Sequence, residues 1–151
     1  MTAAKRGMAL PLALLALVVI AALVAGGFAA AHLEQRIGRN TLYAVQAAGA
    51  AEAGAAAVVG EWEGHGLGLL APGDSAVLPA APLPGHTTYS PTVVRLNGEL
   101  FLVRVAGIRG DADGGALARR EVRLVVRVAD SAIVGAPPVW PLRNRAWSVS
   151  P

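Results

Sequence analysis

The 151-residue chain has no cysteine, which excludes a disulfide framework, a thiolate nucleophile and any cysteine metal site. Its three histidines, His32, His65 and His86, are too scattered for a zinc set, which needs donors at short spacings. Acidic residues number only ten, and none forms the clustered pair that general acid–base chemistry uses. No serine or threonine lies in a nucleophile-elbow pattern. Gly64, Gly66 and Gly68 lack the strand–turn–helix setting of a phosphate loop. These absences point away from an enzyme and from any cofactor.

Net charge is also small. Thirteen Lys and Arg face ten Asp and Glu, and without Lys5 and Arg6 the basic excess is one residue. The imbalance is local: from residue 93 onward nine arginines face five acids. Arg119, Arg120, Arg123 and Arg127 fall as a stripe on an expected strand, where a solvated sheet face is the ordinary meaning. Nucleic acid is therefore not an expected partner. The length allows one small domain plus a membrane element.

The long apolar run is what the sequence does have. Lys5, Arg6 and Gly7 precede residues 8–31, which carry no charge. A helix of about 20 apolar residues crosses a bilayer, so this segment is long enough. The basic pair ahead of it predicts a cytoplasmic N-terminus under the positive-inside rule. Pro11 falls in the expected first turn, where its missing N–H costs nothing. Gly26 and Gly27 each cost a helix interior about 1 kcal/mol relative to Ala. They serve either close helix approach or a point where the helix can stretch. A cleavable secretion signal is the rival reading, with Ala29, Ala30 and Ala31 as the small-residue cleavage site. Against it, the run exceeds the usual apolar core of roughly 7–15 residues. Helical character also continues beyond it. An uncut signal anchor is the third reading.

Residues 32–59 are Ala-rich, without proline or a turn cluster. Leu33, Ile37, Thr41, Val45, Ala48, Ala51, Ala55 and Val59 recur at three- and four-residue intervals, which predicts one weakly apolar face. With the membrane segment this makes a helix of roughly 50 residues, about 75 Å at 1.5 Å per residue.

The same segment carries a resemblance. Glu34 and Arg36, then Gly38 and Asn40, then Gln46 and an Ala-rich run ending in Glu52 are similar to the N-terminal signature of PilX-type type IV pilus assembly proteins. The likeness covers about the first 60 residues. It implies the type IV pilin-like α+β fold, with a long membrane-spanning N-terminal helix packed on a small antiparallel sheet. It implies a minor structural pilin acting in assembly, initiation or at the tip. Residues 1–7 become a leader that prepilin peptidase removes after Gly7, followed by N-methylation of Met8. Other pilin subunits and the inner-membrane assembly platform are the implied partners. The chain would sit in the inner membrane before entering an extracytoplasmic filament. Major pilins carry Glu at the fifth mature position; here that position is Leu12, which suggests a tip or low-abundance subunit.

Residues 60–91 are rich in Gly and Pro and read as a connection with at most short ordered pieces. Residues 92–151 read as the sheet domain with a Pro/Trp tail. Residues 93–96, Asn97-Gly98 and residues 99–105 form a hairpin pattern with an expected two-residue turn. A third strand, residues 120–128, places Val122, Leu124, Val126 and Val128 on one face. A meander of about three strands follows, burying its apolar face on the helix. Asp111 and Asp113 resemble the start of a calcium loop, but the twelfth position is Val122 and Glu121 falls one residue short. An Asp/Gly turn accounts for them. Trp140, Trp147, Arg143 and Arg145 in the tail are expected to close the sheet edge.

Overall fold

The computed structural model describes residues 9–128, 139–142 and 147–150. The expected leader, Gly7 and Met8, and the tail residues Pro137, Pro138, Arg143 and Arg145 lie outside the described residues. One helix, α1, runs Ala9–Gly60, with Pro11 in its first turn. Among the described residues seven strands follow: β1 Ser75–Val77, β2 Ala81–Leu83, β3 Thr87–Arg95, β4 Leu100–Gly110, β5 Ala116–Val128, β6 Val139–Pro141 and β7 Trp147–Ser150. The chain divides into two units, residues 1–39 and 40–151.

In the first unit every side chain from Leu10 to Arg39 is exposed. The helix is long and apolar enough to cross a membrane.

The second unit is an α+β layer pair. All strands pair antiparallel in the order β1-β3-β4-β5-β6, with β2 also on β3 and β7 also on β5. The expected three long strands are present as β3, β4 and β5, but four short ones flank them. Residues 60–91 hold short ordered pieces, as expected, in a 3-10 turn at Leu67–Leu69, β1 and β2, but the first half of the long strand β3 also falls there, which was not expected. Proline misled the reading. Pro91 sits inside β3 with its carbonyl accepting from Leu78 N at 3.0 Å. A strand residue's N–H and C=O point to the same side, so the missing N–H of Pro91 faces the break between β1 and β2. No ladder bond is lost there.

The expected hairpin between β3 and β4 forms, but not through a two-residue turn. The type I′ turn that Asn-Gly favours needs positive φ at both central residues and type II′ needs it at the first; neither Asn97 nor Gly98 has it. Instead Asn97 Oδ1 accepts from Glu99 N (2.9 Å) and Leu100 N (2.8 Å). Leu96 N closes the loop on Leu100 O at 2.8 Å. The asparagine side chain stands in for the backbone, as short polar side chains do in turns.

The core lies between residues 51–58 of α1 and one face of the sheet. Phe101, Val103 and Val105 of β4 and Val122, Leu124 and Val126 of β5 are buried with Ala51, Ala55 and Val58. The predicted alternation of β5 is the one observed. Trp62, just past the helix, meets the Phe101 ring edge-on with centroids 5.0 Å apart, an arrangement that adds about 0.5–1.5 kcal/mol to plain burial.

The expected helix face holds in part: Ala51 and Ala55 are buried as expected and Ala48 and Val59 are half-buried, but the buried strip also takes in residues outside that face. Ala47, Ala50, Ala51, Gly54, Ala55 and Val58 face the sheet, whereas Leu33, Ile37 and Val45 are exposed. Bulk decided the expectation; closeness decides the packing. A Cβ on Gly107 of β4 would run into Ala47 O and lie 2.6 Å from Ala51 N, and one on Gly54 would lie 2.6 Å from the Tyr89 ring. At Gly107 and Gly54 helix and sheet approach so nearly that only small residues fit.

Candidate functional site

The surfaces available for function are the exposed sides of α1 and the residues that fix its second half on the sheet. In the first unit the apolar side chains Leu10 to Phe28 point outward all round the helix. A helix apolar on every side is stable only in lipid or among other helices. Leu12 is one of these exposed residues. Glu34, Arg36 and Gly38 lie further along the same unit, all exposed.

In the second unit, Asn40 and Glu52 are exposed, and Gln46 is the motif residue that engages the sheet. Gln46 Oε1 accepts from Arg109 Nε at 2.8 Å. The Arg109 guanidinium also lies 5.6 Å from the Tyr43 ring centroid and donates to Gly110 O. Gln46 and Tyr43 are three residues apart and share a helix face, so one guanidinium reaches both. Arg109 stands at a register shift at the end of β4, between Arg109 and Gly110. The six motif residues are therefore not brought together. They are spaced along one helix, and one of them docks. Tyr43 and Arg109 were missed by sequence reasoning; a polar residue three after a tyrosine on an otherwise Ala-rich helix was the available signal.

At the other end of the domain Arg95 fastens the 3-10 segment to the β3–β4 loop. Its guanidinium donates to Gly68 O (3.3 Å), Leu70 O, Asn97 O (3.0 Å) and Gly98 O (2.7 Å), and it lies 5.2 Å from the Phe101 ring centroid.

The far face of the sheet carries Arg119, Arg123 and Arg127 of the expected stripe, whereas register sets Arg120 opposite Gly107 on the helix side. Arg104 and Arg123 stand directly opposite each other on β4 and β5. Both donate to Glu121 Oε1, at 3.2 and 2.7 Å. The Arg123 hydrogen bond, then that of Arg104, holds the Glu121 carboxyl below its ordinary value. Arg127 pairs with Glu99 at 2.7 Å. At the Asp/Gly turn, Asp111 Oδ1 accepts from Asp113 N (3.0 Å) and Gly115 N (2.6 Å). That oxygen is occupied by the turn itself. Among the described residues no group of three or more His, Asp or Glu is placed to hold a metal ion.

Comparison with protein-family models, with curated proteins and with solved structures gave no match.

Proposed function

We propose that the chain is a structural minor subunit of a type IV pilus or a related filament, acting in assembly, initiation or at the tip. One observation carries the reading: a single uninterrupted helix, Ala9–Gly60, whose first part is uniformly apolar and exposed while its last part is a sheet-docking strip of Ala and Gly. A subunit held in a bilayer and later drawn into a fibre needs both. The first half exchanges lipid for neighbouring helices, at little cost because both are apolar. The second half keeps the folded unit attached throughout.

In this reading Gly7 and Met8 supply the site for prepilin peptidase and N-methylation, and the inner-membrane assembly platform receives the processed chain. Leu12 leaves the fifth mature position without a carboxylate. A subunit lacking that charge has nothing to neutralise a neighbour's N-terminal amine in the low-dielectric fibre interior. It therefore belongs at an end of the filament or in low copy number.

The test is fractionation. Filaments sheared from native cells should contain the chain at a small fraction of the major subunit, and the chain should be lost from that fraction when the peptidase is deleted. A chain that stays wholly in the membrane or appears only as free secreted protein would support the rival reading, an anchored or secreted binding domain unrelated to filaments.

A further inference from the structure

The second unit has two opposite faces of unlike charge. Residues 47, 50, 51, 54, 55 and 58 point at the sheet. At 100° per residue the back of the same turns carries Leu42, Val45, Gly49, Glu52, Ala53 and Ala56, all exposed. Leu42 and Val45 are 53% and 63% exposed, and nothing lies within 4 Å of a Cβ placed on Gly49. Glu52 is the one charge on this face. From Asn40 to Asp74 the chain has four carboxylates, Glu52, Glu61, Glu63 and Asp74, and no Lys or Arg.

The back of the sheet is the complement. Register sets Val94, Leu102 and Val125 in one row across β3, β4 and β5, and Leu142 continues it through Leu142 N to Val125 O at 3.1 Å. Arg104 and Arg123 border the row on one side; Arg127 and the exposed Trp140 border it on the other. Val94, Leu102 and Val125 are half-buried, so part of each side chain is left for a partner to cover. The arginines are not balanced, since Glu121 serves Arg104 and Arg123 together. One positive charge at that pair is left over.

Edge-to-edge pairing is a poor alternative. The edge strands are three or four residues long, with Pro79 between β1 and β2, Pro82 in β2 and Pro141 in β6, features that discourage strand addition.

We propose that a second copy of this chain docks the helix face of Leu42, Val45 and Glu52 onto the row of Val94, Leu102 and Val125, with Glu52 meeting Arg104 and Arg123. The contact joins two different faces, so it is head-to-tail and repeats, as an open assembly requires. It rests on the filament reading and gives that reading its lateral contact between folded units.

The absence of cysteine makes the test clean. Full-length Val45→Cys and Leu102→Cys chains, differently tagged, are mixed in detergent micelles and treated with a short bismaleimide. The expected result is a 45–102 cross-link well above the 45–45 and 102–102 products. Arg123→Glu on the Leu102→Cys chain should cut that yield about fivefold, the scale of one exposed charge pair, and Glu52→Arg on the other chain should restore it. Restoration is something misfolding cannot produce. Cross-links of equal yield for all three pairs would show association through the apolar helix alone and overturn the proposal. So would a 45–102 yield indifferent to charge reversal, or none at all. Failure here with the chain still present in sheared filaments removes this contact and leaves the filament reading. A charge-dependent 45–102 link on a chain absent from filaments does the reverse.

Discussion

Gly107→Ala should be among the most damaging single-methyl additions in this protein. The new Cβ would collide with Ala47 O and lie 2.6 Å from Ala51 N, where ordinary contact begins at 3.4 Å. Both obstacles are helix backbone, which cannot rotate aside as a side chain can. The helix must retreat by at least 0.8 Å, and a gap of that size forfeits roughly a quarter to a half of the dispersion attraction of each contact it opens. Ala51, Ala55 and Val58 all meet the sheet along this strip. Overpacking costs typically about 1–3 kcal/mol, and backbone obstruction places this case at the upper end. At about 4 °C per kcal/mol for a unit of this size, the midpoint should fall by roughly 8–12 °C. Gly54→Ala should cost less, because its nearest neighbours are the Tyr89 ring and a Val105 methyl and the helix gains about 1 kcal/mol of propensity. Gly49→Ala, with open space around it, should stabilise by up to about 1 kcal/mol. Thermal unfolding of the full chain in detergent, followed by tryptophan emission, reads all three. A Gly107→Ala midpoint within about 2 °C of the parent, or the reverse order among the three, would refute the close-approach account.

Trp62→Ala removes the edge-on partner of Phe101 from the core and should cost about 3–5 kcal/mol in the same assay. A double-mutant cycle on Gln46→Ala and Arg109→Ala should give a coupling of about 0.5–1.5 kcal/mol for their hydrogen bond; additive effects would dissolve that latch. Glu121 has its folded value lowered from 4.5, so the stability it contributes is present above pH 4.5 and is lost as pH falls through the lowered value. Glu121→Gln should therefore weaken the protein slightly at pH 7, within about 1 kcal/mol, and make no difference in strong acid; an equal loss at both would deny the charge any role. Leu12→Glu should raise the amount of the chain recovered in sheared filaments, and unchanged incorporation would count against the role given to the fifth mature position.

Periodicity made the architecture legible and chemistry at single positions did not. The alternation of Val122, Leu124 and Val126 gave β5 its buried face, because a strand with one side on a core has a strict period of two. The helix was legible in extent, since nothing between Pro11 and Gly60 breaks it. Its docking face was legible only in part, through Ala51 and Ala55. Leu33, Ile37 and Val45 outweigh Ala47 and Ala50 on any hydrophobicity count, yet Gly107 opposite lets the helix come so close that small residues are selected. The first half of β3 escaped for a related reason. Pro79, Pro82 and Pro91 read as breakers, and whether a proline breaks a ladder depends on which side its missing N–H faces, which is fixed only once partners are paired. In the motif, Gln46 could be singled out as part of a pattern, but its partner Arg109 lies 63 residues away, beyond any local signal.

The most direct test of the central claim is the mass of the N-terminal peptide of the protein taken from its native envelope. The account predicts a mature chain that begins at N-methylated Met8, with residues 1–7 removed after Gly7. A chain beginning at His32, or one still carrying Met1 and its leader, would contradict it.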